Sequence, residues 1–162
     1  MKAHEKRISF ERHFAATLDE VWDLWTTTAG IESWWGPDGF SVKVNSLDLR
    51  EGGQLLYAMS ATAPEQIEFM KRENMPLTTQ AKIIFAAVEP KRRLVYQHLT
   101  DFIPGVAPYT VSTTVELEPT PSGVKMLLRV DQMHDAVWTQ RATMGWESEL
   151  GKLDRVIAAA PP

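Results

Sequence analysis

The chain has 162 residues, of which 44% are hydrophobic and 23% are charged, a balance that excludes a disordered protein. We expect residues 1–162 to form one domain, because this length can bury a core without crosslinks. The net charge is −4 and the basic residues are scattered apart from Lys91–Arg93, which disfavours a nucleic-acid partner.

The first elements predicted along the chain are one strand and two short helices. Alternating polarity predicts a strand over Ile8–Ala15. Thr17 is the predicted N-cap of the first helix, with Glu20 as its capping-box partner. A second short helix over Ala29–Trp35 is ended by Gly36–Pro37.

The middle of the chain is rich in strand signals. Six further strands are predicted from alternating hydrophobicity, over Phe40–Asn45, Gln54–Ala61, Thr79–Val88, Leu94–Leu99, Tyr109–Leu117 and Val124–Val130. Short connections between the later strands indicate an antiparallel meander. The segment Ala63–Pro76 interrupts the series, and a short helix over Glu65–Asn74 is expected near a rim of the sheet, as a lid or a surface excursion.

A long helix is predicted over Asp135–Ala159. Its apolar face is expected to carry Val137, Trp138, Met144, Trp146, Leu150, Leu153 and Ile157. The expected fold class is therefore α+β, with a curved antiparallel sheet of six to seven strands around this helix. A bent sheet has a concave face that one helix does not fill, so we predict an apolar internal cavity between the two.

Candidate ligand-binding residues are the large apolar and aromatic side chains expected on that concave face. They are Trp25, Trp34, Trp35, Tyr57, Met59, Phe85, Tyr96, His98, Met144, Trp146 and Leu150. The six Trp and seven Met of the chain suit the walls of a cavity, and they also suit an ordinary core.

Several of these candidates have a second interpretation. Trp34 and Trp35 either stack on a ligand or plug the core, and Trp25 is expected in the core. Tyr96 and His98 share the strand parity of Leu94, so on a concave face they would be polar groups that orient a ligand. Alternatively, His98 is a structural or an exposed histidine.

No catalytic residue, metal site or cofactor is predicted. The chain has no cysteine, which excludes disulfides and thiolate ligands, and its four histidines lack metal-ligand spacing. There is no Gly-x-Ser-x-Gly motif and no phosphate-binding loop. The start of the chain has no apolar stretch of signal-peptide length, and no window is long and apolar enough for a membrane span. A cytoplasmic location is therefore expected.

Six motifs occur in the order typical of one superfamily. They are Val21-Trp22-x-x-Trp25, Trp34-Trp35-Gly36-Pro37, Leu49-x-x-Gly52-Gly53, Val88-Glu89-Pro90-x-x-Arg93-Leu94-Val95-Tyr96, Thr114-Val115-x-Leu117 with Gly123-x-x-x-Leu127, and Gly145-Trp146-x-x-x-Leu150-x-x-Leu153. This set resembles the SRPBCC superfamily (START-like, Bet v-like, helix-grip), and within it the family of the activator of heat-shock-protein-90 ATPase. The segment Ala63–Pro76 departs from the pattern, since relatives have a shorter link there.

The resemblance implies a helix-grip fold and the binding of a small hydrophobic ligand, which is lipid-like, aromatic or polyketide-like. Relatives also include co-chaperone domains and stress-related proteins, so a chaperone-linked interaction module is the first alternative. A cyclase-like or hydrolase-like enzyme that uses the same pocket is the second. Edge strands of such sheets often pair between subunits, so a homodimer is a further expectation.

Overall fold

The computed structural model describes residues 7–101 and 103–159, which form seven strands and four helices. The elements in chain order are β1 (Ile8–Phe14), α1 (Leu18–Thr26), α2 (Thr28–Trp34), β2 (Phe40–Leu47), β3 (Gln54–Ala61), α3 (Pro64–Arg72), β4 (Thr78–Glu89), β5 (Arg93–Thr100), β6 (Tyr109–Thr120), β7 (Gly123–Val130) and α4 (Ala136–Ala159). Each predicted element is present, with boundaries that differ by at most three residues.

All seven strands form one antiparallel sheet in the order β1-β7-β6-β5-β4-β3-β2. The pairing register shifts between Val44 and Ser46 and again between Phe85 and Ala87. Such bulges bend a strand and increase its twist, which helps the sheet to curve. The predicted α+β helix-grip fold is confirmed.

Thr17 and Thr27 set the ends of the two short helices. The backbone N–H of Glu20 donates to Thr17 Oγ1 at 3.1 Å, and the Thr17 hydroxyl donates to the Glu20 carboxylate, so the predicted cap is present. Thr27 ends α1 and also caps α2, since its Oγ1 accepts from the backbone N–H of Gly30 at 3.0 Å. Gly30 is required here, because a Cβ at this position would lie 2.1 Å from the backbone oxygen of Asp23.

The core lies between the concave face of the sheet and the helices, and α4 contributes to it mainly through its second half. Among the described residues of α4, the buried ones are Leu150 and Leu153. Val137 and Met144 are 58% and 65% exposed, so the prediction that they lie on the inward face is wrong. Each residue turns a helix by about 100°, which places Met144 about 200° away from Trp146, on the solvent side.

The loop from α2 to β2 is tied to the second half of α4. The backbone N–H of Asp38 donates to Ser148 Oγ at 2.7 Å, and the Asp38 carboxylate pairs with Arg155 at 2.7 Å. The inserted helix α3 begins next to this loop, because the Gly39 carbonyl oxygen accepts hydrogen bonds from the backbone N–H groups of Thr62 and Ala63 and from the Thr62 hydroxyl. Within residues 7–101 and 103–159, no helix combines the length and the hydropathy needed to cross a bilayer.

Candidate functional site

An aromatic cluster occupies the concave side of the sheet below α4. Its members are Trp25, Trp34, Trp35, Tyr57, Tyr96, His98 and Trp146. The ring of Trp25 is central, with its centroid 4.7 Å from Trp34, 6.2 Å from Trp35 and 6.3 Å from Trp146. These separations are contact distances for aromatic rings, so the rings fill the space between one another.

The sheet side of the aromatic cluster is formed by β3 and β5. The ring centroid of Trp35 lies 5.5 Å from that of Tyr57 and 5.9 Å from that of Tyr96, and Tyr57 lies 6.5 Å from His98. Tyr96 is buried and His98 is half-buried. The structure thus places Tyr96 and His98 on the concave face. Their shared parity had predicted a common face without deciding between the concave and the convex one. Burial lowers the pKa of His98, against a smaller opposing effect of Asp101, so the imidazole is neutral at pH 7.

The three buried indole N–H groups differ in their partners. The Trp34 indole donates to the backbone oxygen of Leu24 at 2.7 Å, which makes this ring a bonded part of the core. The Nε1 atoms of Trp25 and Trp35 are buried and have no hydrogen-bond partner in the described chain. A buried donor without a partner costs about 1–3 kcal/mol of stability. The indole N–H of Trp35, a ring in contact with Tyr57, is such a donor among the described residues.

Two charged residues of α4 hold the backbone that carries Trp35. The Glu149 carboxylate accepts the backbone N–H of Gly36 at 2.8 Å. The Lys152 ammonium donates to the carbonyl oxygens of Trp35, Gly36 and Phe40 at 3.3, 2.9 and 3.2 Å. Gly36 has a φ of 87°, a conformation that other residues rarely adopt, so the Gly-Pro turn presents these groups to α4.

Glu149 is the functional candidate that the sequence motifs did not indicate. Its carboxyl group is surrounded by protein although the residue as a whole is half-buried, and burial raises its pKa to about 7. The Gly36 N–H and the charge of Lys152 act in the opposite direction. Burial, with a contribution from the charge of Glu149, also raises the pKa of Tyr57 and of Tyr96. A carboxyl group with such a raised pKa beside two phenols is typical of a functional site.

The first half of α4 covers the sheet less completely than the second half. Counting in helical turns from Leu150 and Leu153 places Thr139, Ala142 and Thr143 on the inward face, and all three have short side chains. The Thr143 hydroxyl donates to the backbone oxygen of Thr139 at 2.8 Å, and Thr139 Oγ1 accepts from the backbone of Met133. Both threonines therefore have their hydroxyl groups engaged locally.

Three strand residues on the concave face of the sheet are only partly buried. Met59, His98 and Tyr109 belong to this group, and Tyr109 lies below the start of α4, where its hydroxyl is 2.9 Å from His134 Nδ1. We use the name α4 gap for the space bounded by these three strand residues, by the inward positions 139, 142 and 143, and by Trp146.

Two surface depressions of about 290 and 320 Å³ lie elsewhere, on the outer face of the sheet. The first is lined mainly by charged residues such as Glu116 and Lys125, and the second includes Leu56, Lys82 and Leu99. Neither includes a member of the aromatic cluster.

The predicted site residues thus fall into three groups. Trp25, Trp34, Phe85 and Leu150 are packed in the core. Trp35, Tyr57 and Tyr96 are buried and lie near Glu149. Met59, His98 and Trp146 are half-buried at the α4 gap, whereas Met144 is exposed and lies outside the site.

The profile of one protein family matches almost the whole chain. The family is described as "Activator of Hsp90 ATPase homolog 1-like protein", and the match covers residues 15–158. The chain belongs to this family. No curated protein matches the sequence.

Solved structures of bacterial proteins share the fold. A protein from Chromobacterium violaceum is 22% identical, with a TM-score of 0.79 and with 96% of this chain and 99% of the other covered. A protein from Arthrobacter aurescens is 18% identical, with a TM-score of 0.77 and coverages of 99% and 90%. An AHSA1-like protein from Aeromonas hydrophila is 20% identical, with a TM-score of 0.72 and coverages of 94% and 92%. At these identities the likeness concerns the fold.

Proposed function

We propose that this member of the family binds a small, flat, apolar molecule in the α4 gap, with one face of the ligand against Trp146. The proposal is carried by one observation, that the buried residues among those described in α4 are Leu150 and Leu153, both beyond the gap. A helix that covers a concave sheet over half of its length leaves apolar surface for another molecule. Burial of apolar surface contributes about 25 cal/mol per Å², which makes such a site favourable for a flat ring system.

The chemistry around the gap supports an apolar ligand with a small polar part. Met59 and Trp146 offer polarisable and aromatic surface, and Ala142 keeps the helix side shallow. The neutral imidazole of His98 can donate one hydrogen bond and accept another. Ligand sites of this kind combine mostly apolar walls with a few polar groups that fix orientation.

The proposal is tested by filling the gap from the helix side. Ala142→Leu adds an apolar side chain that points into the gap, and Gln140→Leu adds the same side chain at an exposed position of the same helix. The probe is naphthalen-1-ylmethanol, and its binding is measured by isothermal titration calorimetry. At about −0.3 kcal/mol for each of its roughly twelve heavy atoms, the wild-type chain should bind it with a Kd of about 2 mM or below.

We expect Ala142→Leu to weaken this binding by at least about tenfold while the chain stays folded, because the new side chain occupies existing space. Gln140→Leu should leave the Kd within about twofold, since it adds no group to the gap. Absence of binding to the wild type, or equal binding to both variants, contradicts the proposal. Loss of about 1–3 kcal/mol of stability in Ala142→Leu also contradicts it, because that cost indicates a site that is already packed.

The two other predicted roles stay predictions. The chaperone-linked module is supported by the family description alone. A pull-down with purified heat-shock protein 90 that shows neither binding nor ATPase stimulation would remove it. A cyclase-like or hydrolase-like activity was predicted to use His98 with a carboxylate, and no carboxylate is hydrogen-bonded to His98 among the described residues.

A further inference from the structure

The carboxylate of Glu149 has unused capacity to accept hydrogen bonds. Its Oε1 atom accepts the Gly36 N–H, and its Oε2 atom accepts none from the described residues. The nearby ammonium of Lys152 does not supply one, because all three of its N–H donors are directed to the carbonyl oxygens of the 35–40 loop. The oxygen that remains can therefore accept a hydrogen bond from another molecule.

The position of Glu149 links the aromatic cluster to the α4 gap. Glu149 lies three residues after Trp146, so the two side chains leave α4 about 60° apart and one turn from each other. On the other side the carboxylate is close enough to Tyr57 and Tyr96 to affect both phenols. A carboxylate next to several aromatic faces is the combination that recognises organic ammonium groups, through a charge-assisted hydrogen bond and cation–π contacts.

We infer that the ligand of the α4 gap is a flat apolar ring compound that carries a protonated amine, with the amine bound to Glu149 Oε2 and the ring against Trp146. This inference rests on the proposed function and names its ligand class. A neutral ring compound fits the same apolar surface but leaves the carboxylate unpaired, so Glu149 discriminates between the two.

The charges around Glu149 give the binding a defined pH dependence. Lys152 on α4 is cationic and its charge is directed to the loop carbonyls, while Asp38 of that loop pairs with Arg155. Tyr57 and Tyr96 are neutral phenols, and the more distant His98 is a neutral imidazole.

Glu149 is therefore the group in this set that changes charge near neutrality. With its pKa at about 7, the ionised fraction rises about tenfold between pH 6 and pH 8, and amine affinity should rise by a similar factor.

The test compares naphthalen-1-ylmethylamine with naphthalen-1-ylmethanol, which has the same shape and no charge. At pH 8 we expect the wild-type chain to bind the amine at least about tenfold more tightly than the alcohol. Glu149→Gln keeps an acceptor for the Gly36 N–H and removes the charge, so it should abolish this preference for the amine. Glu147→Gln is the matched control, because this neighbouring carboxylate is exposed and pairs with Arg12 at 3.1 Å.

Equal affinities of the wild type for amine and alcohol overturn the inference and leave the proposed function standing. A wild-type preference that persists in Glu149→Gln also overturns it. Failure of the wild type to bind either probe overturns the proposed function and the inference together. If Glu149→Gln does not fold, the test is the pH dependence of binding to the wild type. An amine-to-alcohol preference that stays constant between pH 6 and pH 8 then overturns the inference.

Discussion

Glu149→Gln should make the protein more stable at alkaline pH. The pKa of Glu149 is raised from 4.5 to about 7 in the folded chain, mainly by burial. The folded state therefore binds this proton more tightly than the unfolded state does. The stabilisation is complete below about pH 4.5 and is lost as the pH rises through about 7. Above that pH the ionised carboxylate makes the wild type less stable than the variant.

The size of the effect follows from the pKa difference. A pKa difference of about 2.5, at about 1.4 kcal/mol for each pKa unit, gives an upper limit near 3.5 kcal/mol, and partial exposure of the residue reduces the expected value to about 1–2 kcal/mol. Urea unfolding followed by Trp fluorescence between pH 4.5 and pH 8.5 measures it. The two proteins should converge at the acidic end. Glu147→Gln serves as the control, because it removes an exposed carboxylate of the same helix. A variant that is less stable than the wild type at pH 8.5, or a difference independent of pH, refutes the reasoning.

Two further predictions concern the core. Trp34→Phe should destabilise the fold by about 1 kcal/mol more than Trp35→Phe in urea unfolding, because Trp34 donates to the Leu24 carbonyl whereas the Trp35 N–H has no partner in the described chain; equal losses would contradict this. Gly30→Ala should cost at least about 3 kcal/mol or prevent folding, since its Cβ would lie 2.1 Å from the Asp23 oxygen, and a thermal midpoint within a few degrees of the wild type would disprove it.

Local signals in the sequence predicted the elements and part of the site. The Thr17 cap and the alternating strands depend on residues a few positions apart, so they can be read without knowing the fold. The same applies to Tyr96 and His98, whose shared parity restricts them to one face of the sheet. The amphipathic pattern over Asp135–Ala159 predicted the long helix, and the ordered family motifs supported its place in a helix-grip fold.

The features that escaped prediction depend on contacts between distant segments. Glu149 and Gly36 are 113 positions apart, and an isolated carboxylate on a helix usually faces solvent. Met144 was predicted on the inward face because it is hydrophobic, but its position two residues before Trp146 puts it on the opposite side of α4. The short inward side chains of Thr139 and Ala142 were a usable signal for incomplete filling, since the angular position of Leu150 already fixes their face.

The clamping of the 35–40 loop by α4 has a mechanical consequence. Lys152 and Glu149 bind the second half of the helix to the loop that carries Trp35, whereas Trp146, in the first half, meets the core through its ring contact with Trp25. A movement confined to the first turns leaves the hydrogen bonds of Glu149 and Lys152 in place. The hydrogen bonds that fix α4 to the 35–40 loop belong to its second half, so a ligand that enters beside its first turns leaves them intact.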